Sequence, residues 1–119
     1  MQISADEFAA ALRALDTLRQ RPGDRQMEFI RAHYVAPGRA ATASALAESA
    51  GYNSYSAVNL HYGKLAGRIA RQIGRRRPKY KTQVELLVDL VRPPAVTNSQ
   101  WVLVMKPEFA EGLKRAGWV

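Results

Sequence analysis

Residues 42–74 read TASALAESAGYNSYSAVNLHYGKLAGRIARQIG, and this stretch decides the fold. Thr42 has a side chain able to cap a short helix over 43–50, with Leu46 and Ala47 pointing inward. Gly51 follows where a helix end needs a residue that tolerates the left-handed conformation. Asn53 and Ser54 are N-capping types in front of a longer helix over 55–73. A short helix, a glycine-containing turn and a longer helix predict a helix-turn-helix over 42–74.

Wound at about 100° per residue, the longer helix has two sides. Val58, Tyr62, Leu65, Ile69 and Ile73 fall on the side expected to face a core. The opposite side carries Ser56, Leu60, Gly63, Lys64, Gly67 and Arg71. Hydroxyls, small residues and cations on an open helix face suit insertion into a major groove. The first turns of such a helix reach base edges, which makes Asn53, Ser54, Tyr55, Ser56 and Asn59 the candidates for base contacts. Lys64, Arg68, Arg71, Arg75, Arg76, Arg77, Lys79 and Lys81 come later, where cations can follow a phosphate backbone. Gly63 and Gly67 have two readings of equal weight. They admit either a nucleic acid or a second packed segment close to the helix backbone.

Upstream, Ser4 and Glu7 form the S-x-x-E capping-box pattern ahead of Phe8, Leu12, Leu15 and Leu18, predicting a helix over 5–19. Arg21-Pro22-Gly23 ends it. Asp24 is the expected cap of a second helix with Met27, Ile30 and Tyr34 on one face, which Ala36-Pro37-Gly38 terminates. Downstream, VELLVDLV over 84–91 fits a largely buried strand, with a helix left open by its pattern alone, and WVLVM over 101–105 predicts a second strand. The turn-rich 92–99 joins them into a hairpin over 84–106, in the position of a wing. Arg92, Thr97, Asn98 and Ser99 are the wing residues that could touch a partner, or simply an ordinary hairpin turn. Pro107 then suits the first turn of a last helix with Phe109 and Leu113 inward. The expected fold is thus a single α+β domain over 1–119, mainly helical: a winged helix-turn-helix with a two-stranded hairpin and a C-terminal helix.

Composition narrows the partner. Eighteen Lys and Arg against ten Asp and Glu give a formal charge of +8, and the cations gather between Arg68 and Lys81. A domain of this kind attracts polyanions, so double-stranded DNA is the first expectation. Cysteine is absent, which excludes disulfides and cysteine zinc sites. The early acids Asp6 and Glu7 argue against a signal peptide, and no apolar run is long enough for a membrane span, so a soluble cytoplasmic protein is expected.

Enzymatic chemistry finds no foothold in the sequence. His33 and His61 lie in no metal-binding spacing and are expected at the surface or half-buried. Glu85 and Asp89 lack a lysine at the spacing of a metal-dependent nuclease, and no phosphate-binding glycine loop or nucleophile elbow is present. No cofactor and no metal are expected.

Two segments carry a resemblance. Within residues 42–70, the first 25 positions (42–66) fit T-x-x-x-L-A-x-x-x-G-Y-x-x-Y-x-A-V-N-L-x-Y-G-x-L-A, and WVLVMKPEFAEGLKRAGWV over 101–119 fits W-x-x-x-M-x-P-E-x-A-x-x-L-x-x-x-G-W-V. The chain thereby resembles the DNA-recognition module of bacterial HNH-endonuclease proteins of the modification-dependent restriction type. The resemblance implies a DNA reader working beside a nuclease and carries over Tyr52, Tyr55, Asn59, Tyr62, Gly63 and Lys64. The HNH motif itself is missing, so no cleavage is carried over. The alternative is a phage or mobile-element inhibitor, anti-CRISPR-like, docking on an acidic or nucleic-acid-binding protein of a defence complex. An RNA binder ranks lower because no exposed aromatics on a strand face are evident. A homodimer through the first and last helices is open, although no heptad seam is present.

Overall fold

Ser4 and Glu7 close the expected capping box: the Ser4 hydroxyl accepts from the Glu7 amide at 3.1 Å, and the Glu7 carboxylate from the Ser4 amide at 3.0 Å. They start α1 (Ala5–Thr17) in a computed structural model that describes residues 3–74, 83–94 and 100–119. The other helices are α2 (Asp24–Val35), α3 (Ala43–Ser49), α4 (Ser56–Ile73) and α5 (Pro107–Arg115). The strands are β1 (Ala40–Thr42), β2 (Val88–Val91) and β3 (Val102–Met105). The described residues therefore form an α+β, mainly helical fold of five helices and one three-stranded antiparallel sheet. No helix among them is long and apolar enough to cross a membrane.

The expected hairpin is present, with Val88 opposite Met105 and Val91 opposite Val102. It is not alone. Ala40, Ala41 and Thr42 pair with Val104, Leu103 and Val102, so β3 is the central strand and the order is β1-β3-β2. The VELLVDLV segment also differs from one long strand: its first half joins a 3-10 turn, Gln83–Leu86, and only Val88–Val91 pairs. Leu103 and Met105 on β3 alternate inward, as period two requires for a sheet with one buried face.

Residues 42–74 fold largely as their local chemistry dictates. The Thr42 hydroxyl caps α3 by accepting from the Ala45 amide at 3.1 Å. Gly51 takes φ +76°, and the Tyr52 amide reaches back to the Ala47 carbonyl at 2.9 Å, which closes the helix in a Schellman arrangement. Tyr55, not Asn53 or Ser54, occupies the cap of α4. Ser54 instead accepts from the Ser56 amide at 3.2 Å, and Gly23 rather than Asp24 caps α2.

Val58, Tyr62, Leu65 and Ile69 are buried as expected, with Ala66 added to them. On α2 the buried set is Met27, Phe29, Ile30 and His33, while Tyr34 is only half-buried. His33, expected at the surface or half-buried, is fully buried. It is admitted because both ring nitrogens find partners inside: the Tyr62 hydroxyl at 2.7 Å from Nδ1 and the Leu103 carbonyl at 2.8 Å from Nε2.

The apolar faces of α1 and α5 cover each other. Phe8 and Phe109 meet with ring centroids 5.4 Å apart. At Gly112 the helices are so close that a Cβ would stand 2.6 Å from Phe8 Cβ. Trp118 is buried beside them and donates its indole N–H to Asp16 at 2.9 Å. These two apolar stripes are therefore closed against each other within one molecule.

Candidate nucleic-acid interface

With Val58, Tyr62, Leu65, Ala66 and Ile69 turned inward, α4 leaves Ser56, Leu60, Lys64 and Arg71 exposed along its outer side. The steps of four, four and seven residues keep all four on one side of the helix. Leu60 is 55% exposed, an unusual position for a leucine in the middle of a long helix, and it stands one turn from Ser56 and one from Lys64. Asn53 and Ser54 are exposed just ahead of the helix. The Ser54 and Ser56 hydroxyls are bonded to each other at 2.7 Å, which organises the first turn without a side-chain cap at Tyr55.

The remaining sequence candidates are distributed unevenly. Tyr55 is half-buried and packs against the core, so its ring supports the turn. Asn59 is half-buried and points along the sheet side of α4, where it lines a cleft of about 310 Å³ with Gly63, Gln83, Leu90 and Trp101. Arg68 is half-buried and donates to the Gln20 carbonyl at 3.2 Å. Arg92 is exposed, pairs with Glu85 at 3.3 Å and lies over the Trp101 ring at 4.8 Å. Arg75, Arg76, Arg77, Lys79, Lys81, Thr97, Asn98 and Ser99 lie outside the described residues.

The two glycines of α4 are explained by packing. Gly63 and Gly67 are half-buried under the 3-10 turn that precedes β2. A Cβ on Gly67 would stand 3.1 Å from the Gln83 amide nitrogen, and one on Gly63 would stand 3.8 Å from its oxygen. They do not belong to the open face, which consists of the serine, leucine, lysine and arginine alone.

Sequence reasoning missed the flank of α4 that faces α2. His61 stands there, its ring 5.7 Å from that of Tyr52 and its Nε2 3.4 Å from the Gln26 amide nitrogen. Partial burial, with the Lys64 charge adding to it, lowers its pKa below the usual histidine value. The spacing of His61, Lys64 and Arg68 at i, i+3 and i+7 was a visible signal of a shared flank. Nothing in the sequence says that Arg21, from the turn between α1 and α2, joins them. Among the described residues no cluster of three His, Asp or Glu could hold a metal ion. Set against protein-family models, curated proteins and solved structures, this chain has no match in any of the three.

Proposed function

We propose that this chain is a non-enzymatic module that binds double-stranded DNA as a winged helix-turn-helix. It would act as a regulator or as the detached recognition module of a restriction-type system in the cytoplasm. The chain order supports the winged reading. A short strand precedes α3, α3 and α4 are joined through the Gly51 turn, and the β2–β3 hairpin follows α4 with β1 on the other edge of β3. In folds of that kind the second helix enters the major groove and the hairpin flanks it. The resemblance of residues 42–70 and 101–119 to restriction-associated recognition modules supports the biological setting.

The observation that carries the reading is the uncovered line on α4. A serine hydroxyl can bond a base edge or a phosphate, a leucine side chain can meet a thymine methyl, and Lys64 and Arg71 can meet phosphates. Asn53 and Ser54 stand at the end of α4 that reaches deepest in such a docking. The charge of +8 adds a sequence-independent attraction.

The test is binding of fluorescent duplexes at two salt concentrations by the wild type and by a Lys64→Gln, Arg71→Gln variant. The double variant is expected to weaken binding to every duplex and to reduce the slope of log affinity against log salt by about two. Absence of wild-type duplex binding at low salt would refute the reading. It would turn attention to the inhibitor alternative and to capture of an acidic protein of a defence complex.

A further inference from the structure

Between the start of α2 and the α2-facing flank of α4 lies a cleft of about 280 Å³. Arg21, Lys64 and Arg68 line it together with His61 and Gln26, and no carboxylate is among its lining residues. We propose that this cleft seats one phosphodiester group of the DNA strand beside the groove that α4 enters, a proposal that rests on the DNA-binding reading above.

Three independent features converge on an anion. The first is cationic charge without a carboxylate partner at two of the three residues. Among the described residues neither Lys64 nor Arg68 has one, while Arg21 pairs with Asp16 at 3.7 Å, half-exposed, and lies over the Trp118 ring at 4.9 Å. The second is preorganisation. The Gln20 carbonyl holds one Nη1 donor of Arg68 and leaves the rest of the guanidinium fork for a ligand. Gln26 is likewise held in place through its amide donor to the Tyr52 hydroxyl at 2.8 Å.

The third feature is the start of α2 itself. Gly23 caps this twelve-residue helix with no side-chain bond, and Gly23 and Gln26 at that end line the cleft. That end adds the positive pole of the helix dipole to a wall already lined by three cations. The cleft is bounded by the turn through Arg21 and Pro22 on one side and by α4 on the other.

His61 supplies a reporter inside the cleft. A phosphate next to it favours the imidazolium, so occupancy raises the His61 pKa from its lowered value. His33, buried away from the cleft, serves as the internal control in the same spectra.

The experiment compares the wild type with an Arg21→Gln, Arg68→Gln variant. Three quantities are read: duplex affinity against salt, and the His61 imidazole resonances during titration with duplex and, separately, with inorganic phosphate. Unchanged His33 resonances certify that the variant is folded. The proposal expects the variant to bind all duplex sequences less tightly with a salt slope smaller by about one to two. It also expects duplex to raise the His61 pKa in the wild type and not in the variant. An unchanged slope with an unmoved His61, while the wild type binds duplex, overturns the cleft proposal and leaves the DNA reading standing. A His61 response to inorganic phosphate with an unchanged duplex slope overturns the phosphodiester assignment in favour of a free phosphate. A wild type that binds no duplex overturns both readings together.

Discussion

The Tyr62 hydroxyl on α4 donates to Nδ1 of His33 on α2 at 2.7 Å. The direction follows from the opposite ring nitrogen. Nε2 stands 2.8 Å from the Leu103 carbonyl, which can only accept, so Nε2 carries the proton and Nδ1 of the neutral ring is the acceptor. One imidazole thereby ties α2, α4 and β3 together at the centre of the core. The outward direction of Ser56, Leu60, Lys64 and Arg71 depends on how α4 is seated there. The Tyr62 ring is held further by an edge-on contact with Phe29, centroids 5.0 Å apart.

Stability should fall on mild acidification. Burial lowers the His33 pKa, more than the backbone hydrogen bonds with Leu103 and Arg39 raise it. The unfolded chain therefore takes up a proton first, near the ordinary histidine value of about 6.5. Above that pH both states are neutral and nothing is lost. Below it, stability declines until the pH reaches the lowered folded value. Urea melts between pH 8 and 5 should show this decline, and His33→Phe should flatten most of it. His61 shifts in the same direction, so His61→Gln measures the remainder.

Tyr62→Phe keeps the ring and removes the donor, which leaves Nδ1 of His33 buried and unpaired. The expected cost is about 1–3 kcal/mol in the free energy of unfolding at neutral pH. The Tyr62 phenol, whose pKa burial pushes far above the usual value, should also resist ionisation in spectrophotometric titration until the protein unfolds. An early phenolate signal assigned to Tyr62 would contradict the arrangement.

Glycines in two helices should respond oppositely to alanine. Gly63→Ala meets only ordinary contact with Gln83, so the gain in helix propensity, up to about 1 kcal/mol, should appear as a higher melting temperature. Duplex affinity should not change, because Gly63 is covered by the 3-10 turn. Gly112→Ala drives a methyl into Phe8 and the Ala9 backbone, and overpacking of that kind costs about 1–3 kcal/mol. Loss of duplex binding in a stable Gly63→Ala protein would return that glycine to the interface.

Leu60 should discriminate thymine from uracil. A methyl buried against it contributes about 0.8 kcal/mol, close to a fourfold change in affinity. Replacing thymine by deoxyuridine across a preferred duplex should weaken the wild type by about that factor per contact and leave Leu60→Ala unaffected. Equal losses in both proteins would show that Leu60 does not touch a base.

What could be read in advance was what local chemistry decides. The Ser4–Glu7 box, the Thr42 cap and the left-handed Gly51 are each settled within a few residues of chain, and each is present. The inward line of α4 follows from periodicity alone. What escaped depends on distant partners. Ala40-Ala41-Thr42 has little intrinsic preference for a strand and becomes one only because β3 offers an edge. His33 looks like a surface residue until Tyr62 and Leu103 are found around it. Asn59 and Gly63 sit near the open line on a helical wheel, and only the 3-10 turn at Gln83–Leu86 shows that their side of the helix is occupied.

The embrace of α1 and α5 also bears on how the molecule is made. During synthesis the ribosome releases Phe8, Leu12 and Leu15 about a hundred residues before Phe109 and Trp118 arrive to cover them. At about 5–20 residues per second, that apolar stripe spends several seconds without its final cover. Nascent chains stalled before Phe109 should accordingly be protease-sensitive in α1 and good clients for chaperones, whereas chains released past Trp118 should close over it.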